Sequence, residues 1–323
     1  MEFYLIRRKE LYETKKVATV VSKITGKSKL YHMIDYLYSF IFYGCGPKQY
    51  VEGGFFKLRS FDRNITYTKK RRDKIKAYFN DKRYLHICTK KIDFNRYFSD
   101  IISRDWIYCK EANEDDIISF VKRHDRIIIK PIGLTKGQGV YELDKSLSMN
   151  EIVQSVIKKD MLMEEFIIQH PLMCYENKSV NTLRITTVLD HSGDVHVIKS
   201  SFRCGVGDSI VDNYCAGGVV YPVNMEYGRI EGPGGNIALG QSVYVHPGTD
   251  IFMLGREIPF MKDAIQLVKK SAKKLPQLRF VGWDVAITEK GPELIEGNTL
   301  PGEQLIEFQG SEKGFYRKIM SYL

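Results

Sequence analysis

Three oxygen-bearing side chains late in the sequence have the types and spacing to hold a hard divalent cation. Asp284 sits in VGWDVAI, and Glu296 and Asn298 sit in ELIEGN, beyond a turn-prone TEKG. Glu296 and Asn298 are two residues apart, so on a strand they share a face. If the two segments pair as adjacent strands, Asp284 converges on them. Carboxylate and amide oxygens suit magnesium, above all when phosphate oxygens complete the shell. The same three residues also fit a hairpin whose polar side chains face solvent.

A second constellation lies upstream. Lys130, in IIIKP, precedes Gly133, Gly137 and Gly139 in IGLTKGQGV. Glycines allow tight turns and close backbone approach, so that backbone N–H groups can cradle phosphate oxygens while the lysine adds positive charge. The segment lacks the terminal lysine and hydroxyl residue of a P-loop and the spacing of a dinucleotide fingerprint. Taken alone, it reads equally as a glycine-rich hairpin.

These residues need a scaffold, and the surrounding pattern predicts a mixed α+β one. RIIIKP reads as a short strand ended by proline, and GLTKGQGVYEL as a turn leading to a second. MLMEEFII, LRITTVLD and DVHVIKSSFR read as strands at sheet edges around a cleft, and FVGWDVAIT and GPELIEGN as a strand pair. EANEDDIISFVKRHDR reads as a helix with an acidic start. KDAIQLVKKSAKKL places Ala264, Leu267, Val268, Ser271, Ala272 and Leu275 on one helical face before Pro276 stops it. Further upstream, KLYHMIDYLYSFIF predicts a helix ending at GCGP, and KRRDKIKAYF a basic one. The first of these is expected to pack into an N-terminal lobe, with a membrane-surface helix as the other reading.

The chain has 323 residues, 43% of them hydrophobic and 12% aromatic, which fits globular packing and excludes a disordered chain. A net charge of +10 favours anionic partners such as phosphorylated metabolites, acidic polymers or an anionic membrane surface. The aromatic residues read as core and substrate walls, so no nucleic-acid partner is expected. Six cysteines without a CxxC pair predict reduced, buried thiols. With no secretory or membrane-spanning apolar stretch, the expected location is cytoplasmic, with peripheral association at the inner face of the membrane as an option.

The succession KIDFNRYF, RDWIY, IIIKPIGLTKGQGV, LMEEFI, NTLRITTV, the SSFRCGVG region, GWDVAIT and ELIEGNTLPG resembles the sugar-transfer-associated ATP-grasp family over roughly residues 80–309. The resemblance implies an ATP-grasp fold holding ATP between two mixed α/β lobes, with residues 81–323 as the catalytic region and residues 1–80 as an added helical, aromatic region for acceptor or oligomer contacts. Lys130 then matches the phosphate-binding lysine before the glycine loop, and Lys91 of KIDF an earlier nucleotide-contacting lysine. Glu164, Glu165 and Phe166 match the hinge that receives adenine, with His170 or Gln169 near the ribose. Asp284, Glu296 and Asn298 match the positions that bind Mg2+, or Mn2+ in its place. Arg184 resembles the arginine that approaches the transferred phosphate, and Lys199 and Arg203 are candidate contacts for nucleotide or acceptor.

The activity so implied is an ATP-dependent ligase, joining an acceptor carboxylate to an amine or other nucleophile through an acyl phosphate, in cell-surface glycan or sugar-conjugate synthesis. A kinase would use the same site without the second nucleophile. A glycan- or nucleic-acid-binding module would not need the Asp284, Glu296 and Asn298 set.

Overall fold

The computed structural model describes residues 8–51, 53–134, 138–175, 179–207, 218–235, 242–301 and 315–322. The chain divides into two compact units, one drawn from residues 1–79 and 300–323 and the other from residues 80–299.

The described residues of the first unit are helical. Helices Arg8–Thr25 and Lys29–Tyr38 pack on each other, and the second runs on through a wider turn, Ser39–Tyr43, that ends at left-handed Gly44. Val17, Val21, Tyr36, Tyr43, Tyr50 and Phe55 form its core. Asp35 is fixed there by a two-pronged ion pair with Arg63 and by the Tyr50 hydroxyl, which donates to it at 2.5 Å. The predicted basic helix is present as Lys69–Phe79.

The second unit carries two sheets. Strands β1 (Trp106–Tyr108), β2 (Ile127–Pro131), β3 (Tyr141–Glu142) and β4 (Met161–Glu165) form an antiparallel sheet in the order β1-β4-β2-β3. Helices Glu114–Arg123 and Met149–Val156 cover one face, each started by a capping box, Asn113 with Asp116 and Ser148 with Glu151. Ile127, Ile129 and Met163 point into that cover, and the alternate residues Ile128, Lys130 and Glu164 point the other way.

The larger sheet is built from β5 (Thr182–Leu189), β6 (Val195–Cys204), β7 (Val219–Asn224), β8 (Arg229–Ile230), β9 (Gly234–Gly235), β10 (Ser242–Val243), β11 (Phe280–Thr288) and β12 (Gly291–Asn298). Its order is β10-β9-β7-β6-β5-β11-β12, with β8 beside β7. Helix Met261–Lys274 closes one face, burying Met261, Ala264, Val268 and Ala272 against Leu183, Ile185, Phe202, Trp283 and Val285.

The strands β4, β5 and β6 were expected at sheet edges, and the structure corrects this: each is interior to its sheet. All eight residues of β5 are buried, which reports that both of its faces are covered and does not reveal which strands flank it. Among the described residues Cys45, Cys109 and Cys204 are buried, Cys88 is half-buried and Cys174 is exposed. Cys215 lies outside the described residues.

Candidate functional site

The register of the larger sheet gathers the late polar residues on one face. Arg184 stands opposite both Ser201 and Asp284, Thr182 opposite Arg203, Thr186 opposite Lys199 and Gly282, Asp284 opposite Glu296, and Gly282 opposite Asn298. Paired residues of an antiparallel ladder share a face. Arg184, Lys199, Arg203, Asp284, Glu296 and Asn298 therefore project together, away from the helix Met261–Lys274.

Asp284 is the hub of this group. Arg184 grips it through both carboxylate oxygens, with Nη2 at 2.8 Å, and Arg203 Nη1 adds a third contact at 2.6 Å. Burial opposes the charge on Asp284, but the two guanidinium groups outweigh it and hold the carboxyl well below its ordinary value. Glu296, hydrogen-bonded to Asp284, goes the other way: burial and the neighbouring carboxylate push it up to about 7. Of the pair, Glu296 is thus the one that keeps a proton. A buried carboxyl and a solvent-reaching one that share a proton are groups that a divalent cation could join in the proton's place. Among the described residues no three His, Cys, Asp or Glu side chains cluster as a metal site. A cation here would thus draw on Asn298 and on oxygens of a bound ligand.

On the smaller sheet, Lys130 forms an ion pair with Glu164, two positions along the ladder on the same face. Glu164 is buried, and it also accepts from Asn95 Nδ2 at 2.9 Å and Arg104 Nη2 at 3.3 Å. Burial works against its charge, and these cations overcome that and lower its pKa. Glu165 uses its carboxylate on the Asp105 backbone N–H at 3.1 Å. Phe166 lies just beyond β4 with the Arg126 guanidinium 3.5 Å from its ring centre.

Lys91 links the two groups. It opens the helix Lys91–Tyr97 and its ammonium donates to the carbonyls of Leu134 at 3.0 Å and Pro131 at 3.4 Å, at the entry to the glycine-rich turn. Burial lowers its pKa, and the charges that act on it come from Glu296 of the larger sheet and from Lys130 and Glu164 of the smaller. Gly133 has open space where a side chain would go, whereas Gly139 has φ +69° and lies against Leu134 and Pro131. Gly137 lies outside the described residues, as do Asp208, Asp212, Asn213 and Cys215.

His170 uses Nδ1 to accept the Leu172 backbone N–H at 3.2 Å, capping a short 3-10 turn, and Gln169 spans Ser179 and Asn181. His246 is buried with Nε2 2.9 Å from the Gly205 carbonyl oxygen, and its pKa is lowered by burial.

Arg104 was not singled out as a site residue from the sequence. Buried, it donates to Glu293 at 2.9 Å and the Leu294 carbonyl at 2.5 Å on β12, and to Asn95 at 3.2 Å and Glu164 on the other side. It therefore ties β12 to β4. The available signal was an arginine in RDWIY directly before an aromatic strand, which by itself does not tell a buried bridge from a surface charge.

A family model described as sugar-transfer associated ATP-grasp matches residues 62–318. The chain belongs to that family. Solved structures with a similar path include three ligases or synthetases. N5-carboxyaminoimidazole ribonucleotide synthetase in its ADP complex is 10% identical, with TM-score 0.48, over 74% of this ATP-grasp chain and 52% of that one. The ATP-grasp ligase PsnB, with a phosphomimetic variant of its minimal precursor, Mg and ADP, is 14% identical, with TM-score 0.45, over 76% and 62%. D-alanyl-alanine synthetase A of Vibrio cholerae is 11% identical, with TM-score 0.42, over 73% and 65%. The ATP-grasp chain thus spans between half and two thirds of the length of each. None of the curated proteins matches it significantly.

Proposed function

We propose that this ATP-grasp protein is an ATP-dependent ligase that activates an acceptor carboxylate for attack by an amine or a related nucleophile, in the assembly of a cell-surface glycan or sugar conjugate. The observation that carries the reading is the convergence on Lys91. Glu296 from one sheet and Lys130 and Glu164 from the other act on a single half-buried ammonium at the entry to a glycine-rich turn. A nucleoside triphosphate needs this combination of backbone donors, cations and carboxylates along its phosphates.

In this reading Lys130 and Lys91 bind phosphate oxygens, backbone groups near Glu165 and Phe166 receive adenine, and His170 or Gln169 borders the ribose. Asp284, Glu296 and Asn298 would hold Mg2+, which when bound screens the phosphates from one another. Arg184 stabilises charge developing on the transferred phosphoryl group, with Lys199 and Arg203 directed at phosphate or acceptor. The acceptor carboxylate oxygen attacks the terminal phosphorus and the bond to ADP breaks. The nucleophile then attacks the acyl carbon, phosphate leaves, and the nucleophile loses its proton. Residues 1–80 would supply acceptor or subunit contacts.

The test is mass-resolved ATP consumption with magnesium and pooled cell-envelope precursors, for wild type and Glu296→Gln side by side. A condensed product formed together with ADP, and lost in the variant, is expected. A phosphorylated precursor as end product makes the protein a kinase, and absence of ATP binding overturns the assignment.

A further inference from the structure

The helix Lys29–Tyr38 and its continuation Ser39–Tyr43 are apolar on two faces. His32, Tyr36, Ser39 and Tyr43 recur at helical spacing on the buried side. On the other side Leu30, Tyr31, Ile34, Tyr38, Ile41 and Phe42 form an equally regular stripe, each between 47% and 65% exposed. The Tyr38 and Phe42 rings lie against each other there, with centres 4.4 Å apart. A surface helix ordinarily turns its polar face outward, and this one turns out large apolar side chains instead.

The segment that carries the stripe is basic. Residues 14–51 contain six lysines, Lys15, Lys16, Lys23, Lys27, Lys29 and Lys48, and one acidic residue, Asp35. Asp35 is already neutralised by Arg63 within the unit. Lys27 and Lys29 are exposed where the stripe begins, and the Lys27 ammonium sits 4.6 Å from the centre of the Tyr31 ring. Among the described residues no helix is long and apolar enough to cross a membrane.

We infer that this stripe and its lysines are a docking surface for an anionic lipid membrane, on which the helix lies in the plane of the interface. Apolar side chains enter the boundary between headgroups and acyl chains, while the lysines at the start of the stripe meet lipid phosphates. A second copy of the chain is a poorer occupant, because it would present the same excess of lysines between residues 14 and 51, with no unpaired acid in that stretch to receive them. The inference does not depend on the proposed ligase activity.

The test is co-sedimentation of the full chain with phosphatidylcholine vesicles and with vesicles containing about one third phosphatidylglycerol. Wild type should bind the anionic vesicles and leave them at high salt. Leu30→Ser/Ile34→Ser/Phe42→Ser and Lys27→Glu/Lys29→Glu should each weaken that binding by about tenfold or more. All five positions are exposed, so both variants should keep the wild-type circular dichroism, and the lysine variant leaves every apolar side chain of the stripe in place. Wild type that stays in the supernatant, binds neutral vesicles equally well, or binds as tightly after both sets of changes overturns the inference. A wild-type dimer that the triple serine variant converts to monomer overturns it too, in favour of a self-interface.

Discussion

Asp284 and Glu296 stand directly opposite each other across β11 and β12, with their carboxyl groups hydrogen-bonded, Asp284 buried and Glu296 reaching the surface of the sheet face. Their pKa values part because Asp284 has two arginines and Glu296 has Asp284. Glu296 has an ordinary value of 4.5 and rises to about 7 in the folded protein. Between those two values the folded protein holds a proton that the unfolded chain has released, so stability falls as pH rises through the window and levels off above it. Glu296→Gln removes the titrating group and the repulsion. In the absence of ATP and magnesium, its melting temperature should exceed that of wild type increasingly from about pH 5 to about pH 8. Scanning calorimetry across that range checks this, and parallel curves for the two proteins would refute it.

Lys130 and Glu164 are held together on one face of the smaller sheet, and Lys130 is the partner that a phosphate would compete for. Glu164 keeps Arg104 and Asn95 when Lys130 is removed, so the carboxylate stays compensated. Lys130→Met should therefore fold, and should weaken binding of a non-hydrolysable ATP analogue by about tenfold to a hundredfold, the worth of one charge-assisted contact. Isothermal titration calorimetry measures it. Unchanged affinity would remove Lys130 from the nucleotide site.

The strand pair at residues 280–298 was legible because its signal is local: alternation placed Glu296 and Asn298 on one face, and the turn between the strands aligned Asp284 with them. What alternation could not show is Glu293. It lies three positions before Glu296, which on a regular strand puts the two on opposite faces. In the structure Asp284 pairs with Glu296 and Val285 with Leu294, so Ile295 is an extra residue that restores Glu293 to the Glu296 side. Arg104 was illegible for a related reason. Its partners Glu164 and Glu293 lie far along the chain on two different sheets, and no periodicity connects them. Predicting β4, β5 and β6 as edges failed because apolar runs report that a strand's faces are covered and not which strands flank it.

Arg104 is buried between Glu164 and Glu293, so its removal takes the guanidinium from Glu293 and leaves that carboxylate hydrogen bonds from Ser103 and from the backbone N–H at position 104. Arg104→Met should cost about 3–5 kcal/mol in urea denaturation, the range for breaking a buried ion pair from one side. Adding Glu293→Gln removes the stranded charge and should recover at least about 1 kcal/mol, a coupling expected of residues in one network. Strictly additive losses would mean that Arg104 acts through packing alone.

Gly297 sits between Glu296 and Asn298 with its side facing the opposite way, into the core. A methyl group there would lie 2.8 Å from the Cys88 sulfur and 3.3 Å from the rings of Phe94 and Trp283. Two buried rings and a half-buried thiol have little room to yield, so Gly297→Ala should cost about 1–3 kcal/mol by overpacking. Relief by movement of β12 would carry Glu296 and Asn298 with it, so ATP and magnesium binding should weaken in the same variant. Cys88→Ala removes the nearest obstacle, and Cys88→Ala/Gly297→Ala should recover part of both losses together. Urea denaturation and calorimetric ATP titration of the two variants decide the matter. Recovery of stability without recovery of binding would separate Gly297 from the site and confine its role to the core.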